Sequence, residues 1–111
     1  MYIQRYKGKY GNKKKEYNGR AYHSQLEASY AQQLDLMLKA KEIKAWKPQF
    51  KLSLDVNGYH ICNYIADFWI LNKSGEEEIH ETKGFRTDLF NFKWKLTEAL
   101  FSKKYKLILI K

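Results

Sequence analysis

Apolar residues first recur at helical spacing at Leu26, Tyr30, Leu34, Met37 and Leu38, a stripe that predicts a helix from Ser24 to about Lys41. The period then changes. Trp46, Phe50, Leu52, Leu54 and Val56 largely alternate with polar residues, which predicts a strand with Pro48 near its start. Asn57-Gly58 marks a tight hairpin, and the returning segment Tyr59–Leu71 is apolar on both faces, as a central strand requires. Asn72–Gly75 turns the chain into a third strand, Glu77–Lys83, which Gly84 breaks. A second helix is predicted over Asp88–Ser102, with Thr87 as its N-cap. Its stripe is Leu89, Leu96 and Leu100, with Phe90, Trp94 and Phe101 beside it. Lys106–Ile110 reads as a last strand, parallel to the third because the intervening helix makes a right-handed crossover. The order α-β-β-β-α-β implies an α+β (α/β) domain over residues 20–111, a mixed four-stranded sheet flanked by helices. Ahead of it, residues 1–19 have neither period and read as a basic arm. Tyr2, Tyr6 and Tyr10 lie among its lysines, a composition suited to phosphates and bases or to a frayed terminus. Asn18-Gly19 places a turn between two short extended pieces at its end.

Length and composition narrow the function classes. With 111 residues there is room for one compact domain, and 44% apolar residues exclude general disorder. No apolar run reaches the roughly 18 residues of a membrane span. A single cysteine, Cys62, excludes an internal disulfide and a cysteine-rich zinc site. With a basic start that lacks the apolar stretch of a secretory signal, a cytoplasmic protein is expected.

The net charge is +9, unevenly spread. Residues 1–20 carry seven basic and one acidic side chain, residues 21–82 six and nine, and residues 83–111 eight and two. A basic periphery around an acidic middle suits a polyanion held near a cation-binding centre. Candidate phosphate contacts are Lys13, Lys14, Lys15 and Arg20 before the first helix, and Arg86, Lys93 and Lys95 after the third strand. Ordinary solvated faces are the competing reading.

Three carboxylates stand apart from the surface pattern. Asp67 lies in Ile65-Ala66-Asp67-Phe68-Trp69-Ile70-Leu71, where a charge is costly unless a basic side chain or a bound cation meets it. In Glu81-Thr82-Lys83, the strand period of two puts the carboxylate and the ammonium on one face. A divalent ion held by Asp67 and Glu81 would suit phosphodiester hydrolysis, with Lys83 stabilising developing negative charge. The register that would make the two acids neighbours does not follow from the sequence. Glu27 is the third candidate, but Ser24-Gln25-Leu26-Glu27 also matches the capping box, in which the glutamate only closes the helix start. The two roles compete for one carboxylate.

Three stretches in this order, Tyr22-His23-Ser24-Gln25-Leu26-Glu27, Tyr64-Ile65-Ala66-Asp67-Phe68 and His80-Glu81-Thr82-Lys83-Gly84, resemble the motifs of the PD-(D/E)XK nuclease superfamily. The likeness runs from about residue 20 to the end. It is nearest to small phage nucleases, including endonuclease I-type Holliday-junction resolvases and related phage proteins, and extends to transposon end-cutting subunits. The resemblance implies a restriction-endonuclease-like core. It also implies Asp67 and Glu81 as metal ligands, the Thr82 carbonyl as a further one, Glu27 as a carboxylate that binds or orients metal, and Lys83 as the catalytic lysine. The name-giving proline is replaced by Ala66, which removes backbone rigidity rather than a ligand. Gln49 stands where related phage proteins show a polar residue before the strand, although ordinary strand-edge placement also explains it. His23 and His80 titrate near neutrality, but His80 should face away from Glu81.

The resulting expectation is an endonuclease using Mg²⁺, or Mn²⁺ in its place, on DNA. So small a chain leaves little mass for reading bases, so recognition of DNA structure is expected, with branched or Holliday-junction DNA preferred over duplex. Symmetric cutting implies a homodimer, and a protein partner could target it. The rivals are a non-catalytic nucleic-acid-binding protein on the same fold and an RNA-directed nuclease.

Overall fold

The computed structural model describes residues 15–82 and 86–110. Two short strands, β1 (Lys15–Tyr17) and β2 (Arg20–Tyr22), form a hairpin that leads into helix α1 (Gln25–Lys39). There follow β3 (Ile43–Val56), β4 (Tyr59–Asn72), β5 (Glu77–Thr82), α2 (Asp88–Phe101) and β6 (Lys106–Ile110). The larger sheet has the order β3-β4-β5-β6, antiparallel except for the parallel β5–β6 pair. The fold is therefore α+β with a mixed four-stranded sheet, β4 is central, and the last strand is parallel to the third, as the sequence predicted.

Local chemistry accounts for the boundaries. Asn57 and Gly58 have φ 54° and 83°, and Asn18 and Gly19 have 55° and 83°, the paired left-handed residues of a two-residue hairpin turn. Ser24 caps α1 by accepting the Glu27 N–H at 3.0 Å, and Thr87 caps α2 by accepting the Phe90 N–H at 3.1 Å. After β4, the Asn72 side chain accepts from the N–H groups of Ser74 and Glu76, which closes the turn into β5.

Each helix buries much of its predicted stripe, with Tyr30, Leu34 and Met37 of α1 and Phe90, Trp94, Leu96 and Phe101 of α2 in the cores, but is turned at its margins. On α1 the buried residues are Glu27, Ala31 and Leu34, while Leu26 and Leu38 are exposed. On α2 they are Phe90, Trp94 and Thr97, while Leu89 and Leu100 are exposed. The helices cover opposite faces of the sheet. Ile79 packs with Phe90 and Trp94 under α2, and the next residue, His80, meets Tyr30 of α1. One core joins α1 to Phe68 and Ile70; the other joins α2 to Leu52, Leu54, Tyr64 and Ala66.

That division exposes a break in the pleat. Along β4, Tyr64 and Ala66 face α2, yet Phe68 and Ile70 face α1. Along β3, Phe50, Leu52 and Leu54 face α2, while Trp46 packs in the α1 core. Both strands change face at the same level, at Gln49 and Asp67. The register runs Pro48 opposite Phe68 and Phe50 opposite Ala66, and passes over the pair between them. Gln49 has φ 55°, a left-handed conformation for a residue with a Cβ, of the kind that clusters at functional sites.

Candidate active site

The site is built at this break. The β4–β5 ladder ends at Phe68 opposite His80, although β5 continues beside β6 to Thr82. Beyond that point side chains replace the ladder. The Asp67 N–H donates to Glu81 Oε1 at 3.2 Å, and the Thr82 N–H and hydroxyl donate to Asp67 Oδ2 at 2.9 and 2.7 Å. Each strand's acid thus receives an N–H of the other strand. The register between Asp67 and Glu81, open in the sequence, makes them neighbours. Asp67, expected to need a basic side chain or a cation, is met among the described residues by these Thr82 donors and by Glu27.

Glu27 comes from the first turn of α1 and is 3% exposed. Its Oε1 accepts from the His23 N–H at 3.3 Å, close to the capping-box pattern, and its Oε2 accepts from the Gln49 amide at 2.8 Å. Capping and site roles therefore do not compete, because one carboxylate has two oxygens and each takes one role. Burial, and next the charge of Asp67, push the Glu27 carboxyl up to about 7, against the His23 and Gln49 donors. Losing the Gln49 donor in Gln49→Ala should raise it further, by an amount readable in a carboxyl-carbon NMR titration.

Glu81 is 2% exposed and accepts from the Tyr64 hydroxyl. Burial, then Glu81, push the Tyr64 phenol far above its ordinary range, so it keeps its proton and donates. The tyrosine is fixed by the rings of Phe90 and Trp94, 6.3 and 6.1 Å away between centroids. Tyr64, part of the Asp67 stretch in the sequence but given no role there, belongs to the site, as does Gln49, which the likeness to phage proteins singles out.

Asp67 and Glu81 open into a cleft of about 390 Å³ whose lining also includes His23, Gln49, Asn63 and Lys93, with Glu27 behind it. Lys93 Nζ donates to the Asn63 carbonyl at 3.2 Å at its edge. Lys95, Arg86 and Arg20 are exposed and outside the cleft lining. His80 faces α1, as its parity implied, with Nδ1 2.6 Å from the Tyr30 hydroxyl and Nε2 2.7 Å from Glu78. The expected catalytic lysine, Lys83, together with Lys13, Lys14 and the side chain of Lys15, lies outside the described residues.

The donors suit a hard divalent cation in kind, being carboxylate oxygens without histidine or cysteine. Glu27 and Asp67 are close enough for one to hold a proton against the other, the situation a cation relieves. Among the described residues, no group of three or more His, Cys, Asp or Glu side chains is gathered as a ready cage. Glu81 is instead turned toward Tyr64. One or two carboxylates completed by water are the usual provision for Mg²⁺, so the Glu27–Asp67 pair fits and Glu81 is an adjacent third oxygen donor.

A family model, that of DUF1064, proteins of unknown function, matches residues 7–110. The chain belongs to this family. No curated protein and no solved structure matches this DUF1064 chain. Among the described residues, no helix is long and apolar enough to cross a membrane.

Proposed function

We propose that this DUF1064 protein is a Mg²⁺-dependent endonuclease that hydrolyses DNA phosphodiester bonds, selecting branched or otherwise distorted DNA. The observation that carries this reading is that the carboxylates of Glu27 and Asp67 are brought together from different elements, with Glu81 accepting the Asp67 N–H beside them, where the sheet stops pairing. A structural ion pair needs no such convergence of like charges, and like charges brought together cost stability unless a cation joins them. In this reading Glu27 and Asp67 hold the cation, with Glu81 and the Thr82 carbonyl as further ligands. Gln49 orients Glu27, the Thr82 N–H and hydroxyl orient Asp67, and Tyr64 orients Glu81. When bound, Mg²⁺ supplies charge neutralisation at the phosphate and acidifies a water. Lys83, assigned by the sequence motif, stabilises the charge that develops on the phosphate, and Lys93 holds a flanking phosphate at the cleft edge. A homodimer and a cytoplasmic location go with this reading.

The test is cleavage of junction, flap, duplex and single-stranded DNA and of RNA, in Mg²⁺ and then in EDTA. Cutting of branched DNA that stops in EDTA is expected. Preferred cutting of RNA would reassign the substrate, and no cutting of any substrate would favour a non-catalytic binder. DNA affinity should also fall steeply with salt, with a log–log slope steeper than about −3, since each phosphate neutralised on B-DNA contributes about 0.9. A flat response in filter binding would make the +9 charge incidental.

A further inference from the structure

The cleft has a second, apolar side that hydrolysis does not use. Leu89, in the first turn of α2, is 63% exposed, and Ile65, between the buried Tyr64 and Ala66, is 53% exposed. Both line the same cleft as Asp67 and Glu81, although they come from different elements. Behind them the Tyr64 and Phe90 rings form a packed floor. Leu89 has the spacing of a core residue, yet the fold leaves it in water beside the acids. Two large aliphatic side chains at the mouth of a polar cleft are suited to a flat apolar partner with polar edges.

We infer that this wall seats the base of one unpaired nucleotide of a DNA strand, so that the strand enters the cleft as a single strand rather than as a duplex. The inference rests on the nuclease reading for what brings a strand to the cleft. Three observations select this occupant. A cleft of about 390 Å³ is at the small end of ligand sites and has room for one nucleotide. In a paired duplex the base faces are stacked inside, so only an unpaired base can offer one to Leu89 and Ile65. The groups at the edges match the rest of a nucleotide: Lys93 for a phosphate, and the side-chain amide of Asn63 for a base edge. Selection of distorted DNA would then arise in the cleft itself, from the lower cost of unstacking a base at a branch, gap or flap.

The experiment is equilibrium binding of the full chain in EDTA, by fluorescence anisotropy, to three labelled DNAs of equal length. These are a continuous duplex, the same duplex with a three-nucleotide gap, and a single strand. The wild type should bind gapped and single-stranded DNA about tenfold tighter than duplex. The double variant Leu89→Ala, Ile65→Ala should lose about fivefold or more of that preference, the lower range for one stacked base. Because both side chains are exposed, the variant should keep its thermal midpoint. Leu89→Phe, which offers a ring, should keep or increase the preference. Equal affinity for duplex and gapped DNA, or an undiminished preference in the double variant, overturns the seat and leaves hydrolysis standing. A preference that the double variant loses, in a wild type that cuts nothing in Mg²⁺, supports the seat and overturns hydrolysis.

Discussion

Asp67→Ala is expected to lose Mg²⁺-dependent cleavage by about 1,000-fold or more, several kcal/mol of transition-state stabilisation, while DNA binding is kept or tightened. Binding should tighten because one negative charge leaves a crowded acidic site that must accept a phosphate. Alanine also has a structural cost. Asp67 Oδ2 receives both the N–H and the hydroxyl of the buried Thr82, and each donor left unmet costs about 1–3 kcal/mol. Asp67→Asn separates the two effects, since its amide oxygen can still accept from Thr82 but carries no charge for a cation. The asparagine variant should melt within a few degrees of wild type and be as inactive as alanine, whereas alanine should melt about 10 °C or more lower. Cleavage by Asp67→Asn at the wild-type rate would remove Asp67 from the chemistry.

What was legible in the sequence was set by local chemistry. Asn57-Gly58 must turn, Thr87 must cap, and Lys106–Ile110 has no alternative to a short strand; each is found where it was expected. The order of elements and the parallel last strand follow from these punctuation points and from crossover handedness. The helix faces were legible in their middle, where Leu34, Tyr30, Phe90 and Trp94 pack as the spacing implied. Their margins were not, because counting apolar positions assumes that the greasiest face is the buried one. Here α1 turns an acid inward at Glu27 and leaves Leu26 in water, and α2 leaves Leu89 at the cleft. The change of face at Gln49 and Asp67 was hidden for a related reason. A period of two presumes an unbroken pleat, and a glutamine with φ 55° carries no signal of its own beyond the proline before it. Gln49 and Tyr64 entered the site through that break, so their roles depend on tertiary geometry rather than on residue type. The motif acids were found because the resemblance ordered them, and their contact depended on a register that only the fold supplies.

Glu27 makes the protein's stability depend on pH in a direction opposite to that of an ordinary paired carboxylate. Its carboxyl is raised from 4.5 to about 7 in the folded chain. Between those values the folded state holds a proton that the unfolded chain has released, so stability falls as pH rises and levels off above about 7. For so buried a group the loss is about 3 kcal/mol, or of order 10 °C in the thermal midpoint in EDTA. Mg²⁺ should reverse the loss at pH 8, where Glu27 is charged, and have little effect at pH 5, where Glu27 holds its proton. Glu27→Gln should abolish the Mg²⁺ response and the fall in stability with pH, leaving the opposite trend of His80, whose pKa burial lowers so that stability gains as pH rises toward 6.5. At pH 8 in EDTA it should be more stable than wild type by about 2 kcal/mol, because the relief from charge exceeds the roughly 1 kcal/mol of one hydrogen bond that the amide cannot accept. Thermal melts of the two proteins from pH 4 to 8, with and without Mg²⁺, decide the matter. A wild-type midpoint that follows the same pH course as that of Glu27→Gln from pH 5 to 8 in EDTA would mean that Glu27 is charged throughout and that no proton stands in for a cation between it and Asp67.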